Sequence, residues 1–120
     1  MAEGTRDGLE GFIAGLADWG VSAQVNDVVV IFDVRAVGGA LEGQLVQSGV
    51  AINELGSWPA VPPHWVHFPS SVSLPQVHPD QKDTLPGWTR HSRQIERWEQ
   101  VTEPGRAWLA HARAVLAGAN

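Results

Sequence analysis

Histidine and aspartate side chains gather in the middle of the chain. His64, His67, His78 and Asp80 fall within seventeen residues. A catalytic zinc ion takes three protein ligands of these types and a water molecule, so the set is suited to metal-assisted chemistry. His64 and His67, however, are three positions apart, and side chains on a strand alternate between faces with a period of two. The spacing therefore points these two histidines to opposite faces, and we predict neither a metal site nor a cofactor.

Serine, histidine and aspartate also occur in a combination that would allow hydrolysis. Ser70 or Ser92 would be the nucleophile, His91 the base and Asp80 the orienting carboxylate. The chain lacks the G-x-S-x-G motif that presents a nucleophilic serine on a sharp turn in one large class of hydrolases. A hydrolase or metal-dependent enzyme that uses His78, Asp80 and His91 is kept as the alternative function.

The composition excludes several other classes of protein. With 120 residues, of which 43% are hydrophobic and 18% charged, residues 1–120 are expected to form one globular domain. The net charge is −5 and only eight residues are Lys or Arg, so we expect no nucleic-acid partner. The chain has no cysteine, which removes disulfides, thiolate metal sites and thiol nucleophiles together.

Neither export nor membrane insertion is expected from the sequence. No apolar stretch approaches the roughly 20 residues that a bilayer-spanning helix needs. The first five residues also lack the basic and then apolar pattern of a secretory signal. We therefore expect a cytoplasmic location and no membrane partner.

A helix and a pair of strands are the first elements predicted to position these side chains. Asp7 and Glu10 form a capping pair, Gly20 is a stop signal, and helical spacing places five apolar residues on one face: Leu9, Phe12, Ile13, Leu16 and Trp19. Residues 27–37 and 41–52 read as two strands joined by a turn at Gly38 and Gly39. The unbroken apolar run at 28–32 predicts that the first strand is covered on both faces.

A proline-rich elbow at residues 58–63 follows, and it feeds a short strand at 65–68. Its prolines fix φ near −65° and remove backbone donors, so the elbow is neither helix nor central strand. We expect its large side chains to turn the corner and fill the core. The residues concerned are Trp58, Pro59, Pro62, Pro63, Trp65 and Phe68.

The second half of the chain is predicted as a long loop and then helices. Residues 69–86 contain four prolines and show no periodicity, and loops of this length are often functional. A helical segment that begins at Thr89 or Ser92 would carry three apolar side chains on one face: Ile95, Trp98 and Val101. A last helix is expected after a Thr102 cap, with Pro104 in its first turn.

The order of these elements resembles the ubiquitin-conjugating (UBC-like) superfamily over residues 9–116. The resemblance is carried by the aromatic-Pro-x-x-Pro-Pro elbow at 58–63 and by the strand that ends at Phe68. It implies an α+β fold with an N-terminal helix, an antiparallel meander of three to four strands, and C-terminal helices. It also implies a cis peptide bond between Trp58 and Pro59. Non-catalytic relatives such as RWD domains and ubiquitin-conjugating variants share this scaffold.

The resemblance extends to a candidate site after the elbow. His78, Pro79 and Asp80 resemble the family's His-Pro-Asn element, whose asparagine is associated with stabilising an oxyanion. Here Asp replaces Asn, and an ionised carboxylate accepts hydrogen bonds but cannot donate them. The chain also has no cysteine to carry the family's thioester. A later cluster with Trp88, at residues 90–93, looks like that of bacterial members of the superfamily.

The function implied is a non-catalytic or divergent conjugating-enzyme-like module. Its partner would be a ubiquitin-like modifier or an activating-enzyme-like protein, and a plain protein-binding scaffold is a further alternative. Arg90 and Arg93 would contact a carboxylate of the partner, unless they pair with Glu96, Asp80 or Asp83 of their own chain. The expected binding residues are His78, Asp80, Trp88, Arg90, His91 and Arg93.

Overall fold

The structure, a computed structural model, describes residues 6–74 and 79–120. Within these residues there are two α-helices, α1 (Gly8–Ala17) and α2 (Pro104–Leu116), and two 3₁₀ helices, Ile52–Glu54 and Trp98–Gln100. The same residues contain six strands: β1 (Gln24–Asn26), β2 (Val29–Arg35), β3 (Leu45–Ala51), β4 (Trp65–Pro69), β5 (Pro79–Asp80) and β6 (Trp88–Ser92).

The strands form one sheet in the order β1-β2-β3-β4-β6-β5, and each neighbouring pair is antiparallel. The predicted α+β class is confirmed. The described residues hold six strands where three or four were expected, because β1 and β5 add a short strand at each edge. At three and two residues, these edge strands are too short to produce a periodic pattern in the sequence.

The helix predicted near the N-terminus is present as α1, and it packs closely against α2. Phe12 and Leu16 of α1 are fully buried. A Cβ atom added at Gly105 of α2 would lie 2.3 Å from the carbonyl oxygen of Gly15. Glycine is therefore required at position 105 for the two helices to approach this closely. The close packing offsets the low helix propensity of Gly15 and Gly105.

The main core lies between the helices and one face of the sheet. The elbow residue Trp58 is buried there, with its ring centroid 4.9 Å from that of Phe12 and 5.4 Å from that of Trp98. The Trp58–Pro59 bond is cis, as expected. Trp98 fixes the elbow further, since its indole N–H donates to the Pro59 carbonyl at 2.6 Å. The largest fully buried side chains include Trp108, Phe12, Phe68, Leu16 and Leu55.

A smaller apolar cluster covers part of the opposite face of the sheet. It consists of Val29, Leu85 and Trp88, with Ile31 packed against them. The start of β2 is thus covered on both faces, as the unbroken apolar run predicted. The elbow follows its prediction only in part, because Pro63 and Phe68 are buried whereas Trp65 is half-buried.

Two predictions about the second half of the chain are wrong. The helical segment expected from Thr89 or Ser92 is the strand β6, and only Trp98–Gln100 forms a single 3₁₀ turn. Pairing with β4 outweighs the weak helical spacing of Ile95, Trp98 and Val101. The loop predicted without regular structure contains β5. The last helix is confirmed as α2, although its N-cap residue is Glu103 rather than Thr102. No helix among the described residues has the length and apolar character of a membrane span.

Candidate functional site

The register of β4 and β6 sorts the candidate site residues onto two faces. Directly opposed residues in an antiparallel pair share a face, and β4 and β6 pair from Trp65↔Ser92 to Pro69↔Trp88. One face of these two strands, turned away from the helices and called the β4–β6 face below, therefore carries five of the side chains: Trp65, His67, Trp88, Arg90 and Ser92. The helix-covered face carries Val66, Phe68, Thr89 and His91. Trp88 and Arg90 are thus brought together, whereas His91 points away from them.

Arg90 is held from several sides on the β4–β6 face. Its guanidinium carbon lies 4.0 Å from the centroid of the Trp65 ring. Its nitrogens are 3.3 Å from a carboxylate oxygen of Asp80 and 3.9 Å from one of Asp83. The Arg90 side chain is only 12% exposed. Of the two roles left open by the sequence, pairing within the chain is the one observed for Arg90.

Hydrogen bonds stabilise the ionised form of the Asp80 carboxylate. Its carboxylate accepts from the backbone N–H of Lys82 at 2.6 Å and from Arg90 at 3.3 Å. The Lys82 N–H is the main cause that lowers the pKa of Asp80, and Arg90 contributes in the same direction. An ionised carboxylate in this position orients Arg90 and cannot donate to an oxyanion. His78, expected beside it, lies outside the described residues.

His67 and His91 are buried, one on each face. The Nδ1 atom of His67 is 2.7 Å from the Thr84 hydroxyl, and its Nε2 atom is buried with no hydrogen-bond partner among the described residues. Burial is the main cause that lowers the pKa of His67 to about 4, and the positive charge of Arg90 adds to it. His91 packs against the Phe68 ring, and burial lowers its pKa too. Burial thus favours the neutral form of both imidazole rings.

The triad considered from the sequence is not assembled. His91 precedes Ser92 in β6, so their side chains point to opposite faces. Both ring nitrogens of His91 are buried without a hydrogen-bond partner among residues 6–74 and 79–120. Asp80 bonds to Lys82 and Arg90 as described above. Ser70 is bonded to Thr89, hydroxyl to hydroxyl, at 2.7 Å.

Ser92 instead contacts His64, the residue that immediately precedes β4. Its hydroxyl forms a hydrogen bond with Nε2 of His64, whose side chain is exposed. The Glu54 carboxylate accepts from the backbone N–H of His64 at 2.9 Å and from that of Trp65 at 3.3 Å. Sequence reasoning missed this pair because only the β4–β6 register brings the two residues together.

An open groove lies beside this pair. It has a volume of about 830 Å³, and most of its lining side chains are exposed. The elbow forms one wall and residues 94–99 form the other. The lining residues are Val61, Pro62, Pro63, His64, Gln94, Ile95, Glu96, Arg97, Trp98 and Glu99. The groove thus combines apolar and charged side chains next to the end of β6.

Among the described residues, His64, His67 and Asp80 do not form a metal-binding group. No group of three or more His, Asp or Glu side chains in residues 6–74 and 79–120 is arranged to hold a metal ion. His64 is bonded to Ser92 and His67 to Thr84, so the first two of the four candidate ligands are engaged separately.

Comparison with known proteins gives no relative for this chain. No protein-family model, no curated protein and no solved structure matches it.

Proposed function

We propose that this chain is a protein-binding module that works with a ubiquitin-like modifier or an activating-enzyme-like partner. The partner class and a UBC-like arrangement of the fold come from the resemblance of the elbow, and a cytoplasmic location is part of the same proposal. The observation that carries the binding role is the open groove beside the elbow. Small-molecule sites usually enclose most of their ligand, whereas protein contact surfaces combine an apolar centre with a polar rim.

The side chains of the groove fit this second description. Val61 is 55% exposed although it is apolar, and Ile95 lies half-buried in the same groove. Glu96, Arg97 and Glu99 add charges of both signs along residues 94–99. Burying the apolar groups against a partner would gain free energy, and the charges would select that partner.

The groove is also rigid on the elbow side. Pro62 and Pro63 fix their own φ angles, and Trp98 is bonded to the Pro59 carbonyl beneath them. A surface that is already ordered loses little conformational entropy when a partner binds.

In this proposal, Arg93 and Arg97 supply the positive charge that contacts a carboxylate of the partner. Arg90 already pairs with Asp80 and Asp83. Arg93 and Arg97, and not Arg90, are therefore proposed to contact the carboxylate of the partner. Arg97 lines the groove and is exposed. Arg93 donates through Nη1 to the carbonyl of Ser92 at 2.9 Å, and a guanidinium group has further N–H donors.

The test is a binding measurement with a matched pair of variants. The probes are a ubiquitin-like modifier and an activating-enzyme-like protein, and affinity is measured by isothermal titration calorimetry. We expect Val61→Asp to weaken binding about tenfold or more, which corresponds to about 1.4 kcal/mol. Val37→Asp is the control, because Val37 is an apolar residue of similar exposure, 62%, outside the groove. Absence of wild-type binding to both probes, or equal binding by Val61→Asp and wild type, would overturn the proposal.

A further inference from the structure

We propose that Ser92 and His64 form a nucleophile and base pair that accepts acyl groups from activated esters and thioesters. A serine hydroxyl is a weak nucleophile unless an adjacent base takes its proton. The hydrogen bond between Ser92 Oγ and His64 Nε2 supplies that base. This inference goes beyond the binding role of the groove and does not depend on it, because it concerns small acyl donors.

The pair is accessible as well as bonded. His64 is exposed and lines the groove, and Ser92 is half-buried at the end of β6. His91, the other histidine near Ser92, is buried on the opposite face. Ser92 is therefore served by the one of these two histidines that an acyl donor in solution can approach.

The imidazole of His64 is positioned by packing and by its backbone. In serine hydrolases a carboxylate orients the ring through its second nitrogen. Here the Glu54 carboxylate instead holds the backbone N–H groups of His64 and Trp65. The Trp65 ring stands edge-on to the imidazole, with centroids 5.4 Å apart. Arg90, itself held by Asp80, packs on Trp65 and keeps that ring in place. Glu54, Trp65 and Arg90 are thus positioning residues.

The reaction then proceeds in two balanced steps. In the first, Ser92 Oγ bonds to the carbonyl carbon, its proton passes to His64 Nε2, and the leaving alkoxide or thiolate departs and takes that proton. The product is an ester on Ser92. In the second, His64 accepts a proton from water, the hydroxide attacks the ester, and Ser92 Oγ recovers its proton as the carboxylic acid leaves. No oxidant, reductant or metal enters either step.

The first test uses p-nitrophenyl acetate, with p-nitrophenol release followed by absorbance and the acetylated residue located by peptide mass spectrometry. We expect one acetyl group on Ser92 and no such adduct in Ser92→Ala. His64→Ala should slow acetylation by about 10²-fold or more, the usual contribution of a general base. Ser22→Ala, which removes an exposed serine outside this region, should react like the wild type. Acetylation spread over surface residues, or a rate unchanged in His64→Ala, would overturn the proposal.

A second test remains informative if Ser92→Ala fails to fold. The chain has no cysteine, so Ser92→Cys introduces its sole thiol. A base beside that thiol raises its thiolate fraction, and we expect it to react with iodoacetamide at pH 7 about tenfold faster than the thiol of Ser22→Cys. The advantage should disappear when His64→Ala is added. Equal rates for the two thiols would show that His64 does not activate position 92.

The outcomes for the two proposals are separable. Ser92→Ala should retain affinity for the protein partner. If Ser92→Ala binds its partner normally but is also acetylated like the wild type, only the acyl-acceptor proposal fails.

Discussion

His91 and Ser92 are consecutive residues of β6, yet they lie in opposite chemical environments. His91 is buried against Phe68, with both ring nitrogens lacking a hydrogen-bond partner among the described residues. Ser92, on the β4–β6 face, is hydrogen-bonded to the exposed His64, which immediately precedes β4. The alternation of a strand thus separates two polar side chains that look like one cluster in the sequence.

The two faces differ in how accessible their polar side chains are for chemistry at neutral pH. On the helix-covered face, burial keeps His91 neutral and out of reach of solutes. On the β4–β6 face, a series of contacts runs from Asp80 through Arg90 and Trp65 to His64. His67 lies on the β4–β6 face but is buried like His91. The predictions that follow compare these buried side chains with the series of contacts around Arg90.

The largest expected effect is the loss of stability on substitution of Phe68, compared with that of Trp65. The two residues are three positions apart and lie on opposite faces. Phe68 is fully buried in the main core, so Phe68→Ala should lower the free energy of unfolding by about 3–5 kcal/mol. Trp65 is half-buried and packs on Arg90, so Trp65→Ala should cost less, about 1–2 kcal/mol. Urea unfolding monitored by circular dichroism measures both. Equal losses would mean that the two faces are packed alike.

A pH-dependent loss of stability is the next largest effect, and His67 should dominate it. The pKa of His67 is about 4 in the folded chain against 6.5 for an unperturbed histidine, so the unfolded chain binds more protons between these pH values. The stability that neutral His67 provides is therefore present above pH 6.5 and is lost as the pH falls towards 4. At pH 5 the loss should be about 2 kcal/mol.

The matched variant for this prediction is His67→Gln, which does not titrate and keeps a polar group for Thr84. Its unfolding free energy should fall less between pH 7 and pH 5 than that of the wild type. The lowered pKa values of His91 and His111 act in the same direction, so some pH dependence should remain. An identical pH dependence in variant and wild type would contradict the assignment to His67.

The fold could be predicted from the sequence wherever a periodic apolar pattern was long enough. This holds for α1, β2, β3 and α2, whose core faces appear as spaced apolar residues or unbroken runs. It fails for β6, because Thr89, Arg90, His91 and Ser92 are polar and a strand pattern cannot be recognised in them. Their strand conformation is set by pairing with β4, which is distant in the chain.

The candidate site was predictable only as a region. The sequence indicated residues 78–93, and the structure brings three of the described candidates, Asp80, Trp88 and Arg90, to one face. The pairing of His64 with Ser92 spans 28 positions, and nothing local in the sequence marks it. The burial of His91 was equally hidden, since the face that a side chain occupies follows from the register of the whole sheet.

The smallest expected effect compares two arginines that stack on tryptophan. Arg90 lies 4.0 Å from the Trp65 ring with its side chain 12% exposed, whereas Arg106 lies 5.1 Å from the Trp19 ring with its side chain 63% exposed. Because burial strengthens a cation–π contact, Arg90→Ala should lower the free energy of unfolding by about 1–2 kcal/mol.

Arg106→Ala removes an exposed contact and an exposed ion pair with Glu103, so its cost should stay below about 0.5 kcal/mol. Thermal or urea unfolding at low and high salt distinguishes the two, because salt screens the exposed Arg106–Glu103 pair more strongly than the partly buried Arg90–Asp80 pair. Arg90→Ala should also raise the pKa of Asp80 in an NMR titration, since Arg90 helps to lower it, but not fully, since the Lys82 N–H remains. If Arg90→Ala were as mild as Arg106→Ala and left that pKa unchanged, the β4–β6 face would not be an ordered surface, and the positioning of His64 through Trp65 would lose its basis.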